Sequence, residues 1–346
     1  MADSAEALGC VVLEPVLFEK VWGGDRLAAL GKRVAPGASV GESWELADMP
    51  TTSASGAGGG AVRTAVRRGS APAGVTVGRL LAQHGRALLG GDPAAPVPAA
   101  FPLLVKYLDA RQNLSVQVHP SAAYAAANPG AHLKTECWHI VDAEPGAVIY
   151  KGVRPGVDRA RFEAALRHGD GSGVVGLLGA VPAVPGQCHN LPSGTVHALG
   201  AGVVVAEVQT PSDTTFRVYD WGRAGRQLHV DQALACVQFE PARDAASLPE
   251  RSGRARLVST GFFVLDGVRA GPGEHVPVAD GAGGGGACVV MLVRGAGRLI
   301  DRAAPAGDAG VALCAGDTAL VPAAVAQRVY ARIDGAAELL IARLVV

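Results

Sequence analysis

Charge of neither sign is in excess: Lys and Arg total 31, and Asp and Glu total 31. No basic surplus points to nucleic acid, and none points to an acidic membrane surface. Long apolar runs are also missing. Hydrophobic residues make up 49% of the 346-residue chain, but most are Ala, Val and Leu interrupted by Gly and Pro, so none of the runs reaches membrane-spanning length. The opening MADSAEALGC has no basic region before an apolar core, which predicts no signal peptide. Six cysteines are scattered without a CxxC pair, and a chain this long needs no disulfide framework. The expectation is a cytoplasmic protein with reduced, mostly buried thiols. Lys, Asn and Ile are scarce while Gly, Ala and Arg abound, the mark of GC-rich codons. Ala-rich stretches are therefore weak evidence for helix.

Short strands and turns dominate what is present. TTSASGAGGGA, residues 51–61, reads as a loop or hairpin tip. TVGRLLAQHGRALLGG places Leu80, Leu81, His84 and Leu88 at helical spacing, with Gly90 as a stop. VDRARFEAALRHG predicts a helix capped by Asp158, faced by Phe162, Ala165 and Leu166 and ended by Gly169. GVVGLLGA adds a short helical turn. Together they form an insertion at 157–179, expected to lie over the barrel opening as a lid. Strands then run from His189 to Trp221, and again through 255–346. This pattern indicates sandwiches or barrels rather than an α/β sheet. A faint repeat supports two related modules: Gly186, Pro192, Gly194 and His197 recur as Gly316, Pro322, Ala324 and Gln327 at the same offsets.

Three segments carry candidate chemistry. In LSVQVHP, alternation puts Ser115, Gln117 and His119 on one face and Leu114, Val116 and Val118 on the other. In KTECW it puts Lys134, Glu136 and Trp138 together. GQCHNLPSGTVHALG holds His197 at the end of a Gly/Pro turn. Taken singly, each is equally a solvated strand face or a histidine bonded within a turn. Gathered inside a small barrel, His119, Glu136, His197 and the amide oxygen of Gln117 form a mixed N/O set suited to a divalent metal such as Zn²⁺. His139 is a rival ligand that falls off the Glu136 face. Trp22, Trp44, Trp138 and Trp221 read as barrel wall, and Glu42 and Glu45 as residues of a pocket mouth.

The spacing G-x5-P-x-G-x2-H at 186–197 resembles the second motif of the cupin barrels. VWGGDRL, GESWELAD, FPLLVKYLDARQNLSVQVHP, KTECWHI, LPSGTVHALG and VQTPSDTTFRVYDWGR, in that order, resemble the short bacterial form of the class I mannose-6-phosphate isomerase family. The resemblance spans roughly residues 15–225, with a weaker likeness of the tail to that family's second cupin domain. It implies a mainly β fold of two cupin-type barrels with small helical insertions. Residues 1–240 would form the catalytic domain and 241–346 a second domain without metal. It also implies one Zn²⁺ per chain on Gln117, His119, Glu136 and His197. Arg217, Lys134 and Glu207 would be the catalytic groups, with Ser115 and Lys106 near the sugar phosphate. Two departures stand out: Gln187, where the family usually has Asp, and the Gly/Ala-rich loop at 53–61.

Such a family interconverts mannose 6-phosphate and fructose 6-phosphate through an enediol(ate), which needs an electrophile on oxygen and a positioned acid or base. Arg217 would alternate with Thr215 and Tyr219, away from Phe216 and Val218, and stabilise negative charge. Lys134 or Glu207 would move the proton. The alternatives are a cupin isomerase of another sugar phosphate and a sugar-phosphate-binding cupin without turnover. The expected partner is a small sugar phosphate, with no nucleic acid or membrane and at most a weak homodimer. After His229 only His275 remains, in an expected loop, so the second module cannot repeat a two-histidine site.

Overall fold

The strand Cys288–Arg294 shows how the chain divides its apolar residues. Cys288, Val290 and Leu292 enter one core, while Val289, Met291 and Val293 enter another. Alternation sends successive side chains to opposite faces, and both faces are covered, so the strand reads as a continuous apolar run. The computed structural model describes residues 8–53, 57–279, 285–305 and 307–346. The fold is mainly β, and no helix among the described residues is long and apolar enough to cross a membrane.

Four of the sheets pack as two face-to-face pairs. A seven-stranded sheet that includes Glu136–Ala143, Val203–Gln209, Leu104–Ala110 and Val40–Leu46 faces a five-stranded sheet. The latter runs Leu178–Pro182, Val148–Val153, His197–Leu199, Val116–Val118 and Phe216–Tyr219 in spatial order. Leu108, Trp138, Val205, Ile149 and Leu199 meet between them. The second pair has its own apolar filling, with Val290, Leu292, Leu299, Leu313 and Ile341. The outer faces of the two seven-stranded sheets share one large core, where Cys137, Val204 and Tyr107 meet Val289, Met291 and Leu340.

Strand pairing crosses the boundary expected at residue 240. Val11–Glu14 joins the second pair's large sheet beside Thr318–Val321, and Ala65–Gly69 adds to its edge. In the other direction, Ala246–Ser247 pairs with Gln187–Leu191 of the first. Sequence alternation carries no information on which distant strand is a partner.

Helix Val77–Leu89 forms where expected, with Thr76 accepting from the Arg79 N–H and with Leu80, Leu81 and Leu88 buried. His84 is only half-buried. Asp158 caps helix Arg159–Arg167 as expected. That insertion does not cover the barrel opening. Phe162, Leu166, Val174 and Leu177 pack on Val116, Val118, Phe216 and Val218, the outward apolar face of the five-stranded sheet. This face would otherwise be wet, so burying it decides where the insertion sits. The Gly/Ala-rich segment is a hairpin tip between Asp48–Thr52 and Gly60–Arg63, although residues 54–56 lie outside the described part. His275 lies in the strand His275–Pro277, not a loop, and is exposed.

Candidate metal centre and sugar-phosphate pocket

The turn leading to His197 ties three segments together. Thr195 N–H donates to Pro192 O at 3.0 Å, and Gly194 N–H donates to the carbonyl of His119 at 3.2 Å. Ser193 N–H donates to Thr135 Oγ1. Gly194 has φ 87°, and a Cβ there would stand 2.8 Å from the Cys236 carbonyl, so only glycine closes this turn. The strands carrying His119, Glu136 and His197 are thus joined by backbone bonds.

At that junction the three side chains converge, all buried, with their ligand atoms within 4.8 Å of one another. His119 Nε2 is 3.4 Å and His197 Nε2 3.1 Å from the Glu136 carboxylate. His119 Nδ1 donates to Thr214 O at 3.0 Å, and His197 Nδ1 to Thr195 O at 2.8 Å. A carbonyl only accepts, so both protons sit on Nδ1 and both Nε2 lone pairs face the carboxylate. His119 Nε2 is buried without a hydrogen-bond partner, and among the described residues the Glu136 carboxylate meets only Lys134 and the two imidazole nitrogens. Ligands about 2.1 Å from a tetrahedral Zn²⁺ lie about 3.4 Å apart, so the spacing fits such an ion. Burial, and then Lys134, push His119 down to about 3, which keeps the ring neutral. Burial alone would raise Glu136. Lys134, 2.8 Å from Oε2, and then His119 hold it well below the usual carboxylate range.

Gln117 opposes His197 in register, and its amide nitrogen stands 3.3 Å from His197 Nε2. A half-turn of the amide would present Oε1 instead. Arg217 opposes Gln117 on the next strand, so His197, Gln117 and Arg217 form a row across the sheet. A bulge between Arg217 and Tyr219 breaks the expected alternation, and Tyr219 packs outward beside Phe216. His139 is buried on the other face, where burial and then Arg269 and Arg294 lower it to about 3.

A cavity of about 280 Å³ opens beside this cluster. Ser115, Gln117, Lys134, Lys106, Glu207 and Arg217 all line it, so the expected site residues are brought together. Cross-strand register explains the contacts, because Glu207 opposes both Lys106 and Trp138. Trp138 Nε1 donates to Glu207 Oε2 at 2.8 Å, and Lys106 Nζ lies 3.2 Å from Oε1. Lys106 also reaches Glu42 at 3.7 Å and sits 4.8 Å over the Trp44 ring. Burial alone would lower Lys106, but Glu207 and then Glu42 raise it. Arg217 Nη1 donates to Gln227 O at 2.7 Å, and its buried Nε has no partner.

Trp22, Trp44 and Trp138 are at once buried wall and cavity lining. Trp221 is not in the cavity; it packs by Tyr150 and Tyr219 and has φ 56°. Leu114 lines the cavity instead of following Val116 and Val118 outward, because the regular strand begins only at Val116. Glu42 lines the cavity, whereas Glu45 points to the opposite face, held by Lys32, Ser43 and Thr318. Sequence reasoning did not single out Lys20, Asp213 or Arg226 among the lining groups. Arg226 lies just beyond the YDWGR stretch, in GRAGRQLHVDQALACV, which reads as a connection with one possible helix, so composition carried no signal for it.

No family model matches the chain. A mannose-6-phosphate isomerase of Streptococcus mutans is 34% identical over 261 residues, covering 73% of this chain and 76% of that protein. A probable mannose-6-phosphate isomerase of Bacillus subtilis is 36% identical over 254 residues, covering 71% and 74%. The chain belongs to the mannose-6-phosphate isomerase family. The solved mannose 6-phosphate isomerase of Bacillus subtilis superposes with a TM-score of 0.75 at 26% identity, over 97% of this chain and 100% of that one. A putative mannosephosphate isomerase of Archaeoglobus fulgidus shares the fold, with a TM-score of 0.72 at 20% identity over 97% and 98%.

Proposed function

We propose that the chain is a metal-dependent aldose–ketose isomerase that interconverts mannose 6-phosphate and fructose 6-phosphate. The observation that carries this reading is the buried His119–Glu136–His197 cluster, with its unpartnered His119 Nε2, at the side of a cavity lined by cations. These three residues, with Gln117 as a fourth, would hold one Zn²⁺. When bound, the ion polarises sugar oxygens and orients the open chain.

The reaction moves one proton from C2 to C1 and one from O2 to O1, through an enediol(ate). The chain's own groups divide the work. Arg217 presents a buried, unpartnered Nε–H to the developing negative charge. Lys106 and Ser115 bind and orient the sugar phosphate. Trp138 and Lys106 pin Glu207 as an acceptor on the wall, and Lys134 stands against Glu136. One of these two, Glu207 or Lys134, carries the proton. The pH profiles of Glu207→Gln and Lys134→Met separate them, because only the carrier's loss removes the corresponding limb. The enzyme is expected to act in the cytoplasm, as a monomer or weak homodimer.

A coupled assay of mannose 6-phosphate conversion, before and after chelation, tests the proposal. Turnover should vanish with chelator and return with Zn²⁺. Undiminished turnover in metal-free protein would refute it. Arg217→Ala should lower kcat by about 10²–10³-fold while metal stays bound.

A further inference from the structure

The same sandwich has a second cavity at its other flank. The first opens near the edge strands Val40–Leu46 and Phe216–Tyr219. The second, about 460 Å³, lies where Leu178–Pro182 and Val148–Val153 approach Gln187–Leu191. Lys151 and His189 line it and are only 4% and 3% exposed. Both sit at inward positions: Lys151 opposes His197 in register, and His189 opposes Trp138.

Neither group is satisfied by the protein. Lys151 Nζ donates to the Arg243 carbonyl at 2.6 Å, and among the described residues no carboxylate forms an ion pair with it. An ammonium has three donors, so two remain. His189 Nε2 is buried without any hydrogen-bond partner. Burying a cation and an imidazole nitrogen unpaired is costly unless something else completes them. Arg154 and Arg243 add exposed cations to the lining, against one exposed acid, Asp244. Burial lowers both Lys151 and His189, and the Lys151 charge lowers His189 further, to about 4; an anion between them would reverse both trends.

We propose that this cavity is a second anion site, which takes a phosphate group, free or as a small monoester, on Lys151 Nζ and His189 Nε2. The Nε2–H tautomer of His189 donates without carrying charge, and the two unused Lys151 donors supply the rest. The volume leaves room beyond the phosphate for a small organic body. The catalytic pocket lies across Trp138 and is a separate site, so the proposal does not depend on the isomerase chemistry.

Thermal unfolding of the full, metal-loaded chain against inorganic phosphate tests it, because a ligand that binds only the folded state raises Tm with its concentration. Phosphate should raise Tm in wild type and also in Lys106→Gln, which removes the cation assigned to the sugar phosphate in the catalytic pocket. Lys151→Met should unfold no earlier than wild type without phosphate, since it removes an unpaired buried charge, and added to Lys106→Gln it should abolish the phosphate response. His189→Leu should weaken the apparent affinity roughly tenfold or more. A full response in the Lys106→Gln, Lys151→Met double variant overturns the proposal, as does a response abolished in Lys106→Gln alone. If Lys151→Met does not fold, His189→Leu decides, and an unchanged affinity overturns the site. Comparing inorganic phosphate with glycerol 3-phosphate tells whether the free ion or an ester is preferred.

Discussion

The two sandwiches use strands of similar layout and fill them in opposite ways. In the first, inward positions carry Lys106, Glu136, Glu207, His197 and Arg217, each buried. In the second, inward positions carry Val290, Leu292, Leu339 and Ile341. Their motif strands start alike: Gly186 and Gly316 both have positive φ, 89° and 84°, ahead of Gln187–Leu191 and Thr318–Val321. They part at the turn. Pro192-Ser193-Gly194 swings into the strand of His197, whereas Pro322 caps the short helix Ala323–Ala326. Losing one glycine lets a helix replace the tight turn, and no imidazole is then delivered to the interior. Partners lower the cost of charge in a polar interior, as Lys106 and Trp138 do for Glu207.

Emptying the polar interior should cost function, and emptying the apolar one should cost stability. His197→Ala should lose bound metal and activity together, with a fall of about 10³-fold or more, by metal analysis and assay. Full activity with one metal per chain would erase the distinction. Leu292→Ala, in the fully buried second core, should cost about 2–5 kcal/mol of unfolding free energy yet leave kcat unchanged well below Tm. A matching loss of kcat would mean the second sandwich takes part in chemistry.

The paired glycines sharpen the comparison. Gly186→Ala should cost about 1–2 kcal/mol, the strain of a left-handed backbone, since its Cβ meets nothing nearer than the tip of Arg269 at 3.5 Å. Gly316→Ala should cost more, because its Cβ would stand 1.9 Å from the Leu30 carbonyl. Equal losses in denaturant melts would contradict that ranking. The last effect is on pH. Burial alone would raise Glu42, but Lys106 and then Lys20 hold it down to about 2, against 4.5 unfolded. A depressed carboxyl stabilises above its unfolded value, and that stability drains away as pH falls from about 4.5 toward 2. Glu42→Gln should flatten the stability curve in that window; an unchanged slope would place the acid sensitivity elsewhere.

Much of the first sandwich was legible because period-two alternation states which side chains share a face. Gln117 with His119 and Lys134 with Glu136 follow from spacing alone, and the Pro/Gly turn marks His197. Alternation fails where a strand is short or bulged, as at Leu114 and Tyr219. It also does not say which face is inward, so Glu45 was placed with Glu42. Placement of the insertion needed the outward valines of another strand. Lys151 and His189 carried no signal, because their isolation appears only once two distant strands close on them.

One feature of the topology bears on how the chain is made. Val11 pairs with Leu320, so the second sheet cannot be completed until residue 320 has left the ribosome. At about 5–20 residues per second, the antiparallel pair of Val11–Glu14 and Ala65–Gly69 waits about 12–50 s with an open, apolar edge. During that interval the open edge can pair with a neighbouring nascent chain, so synthesis from crowded polysomes should favour exchange of these two strands between copies.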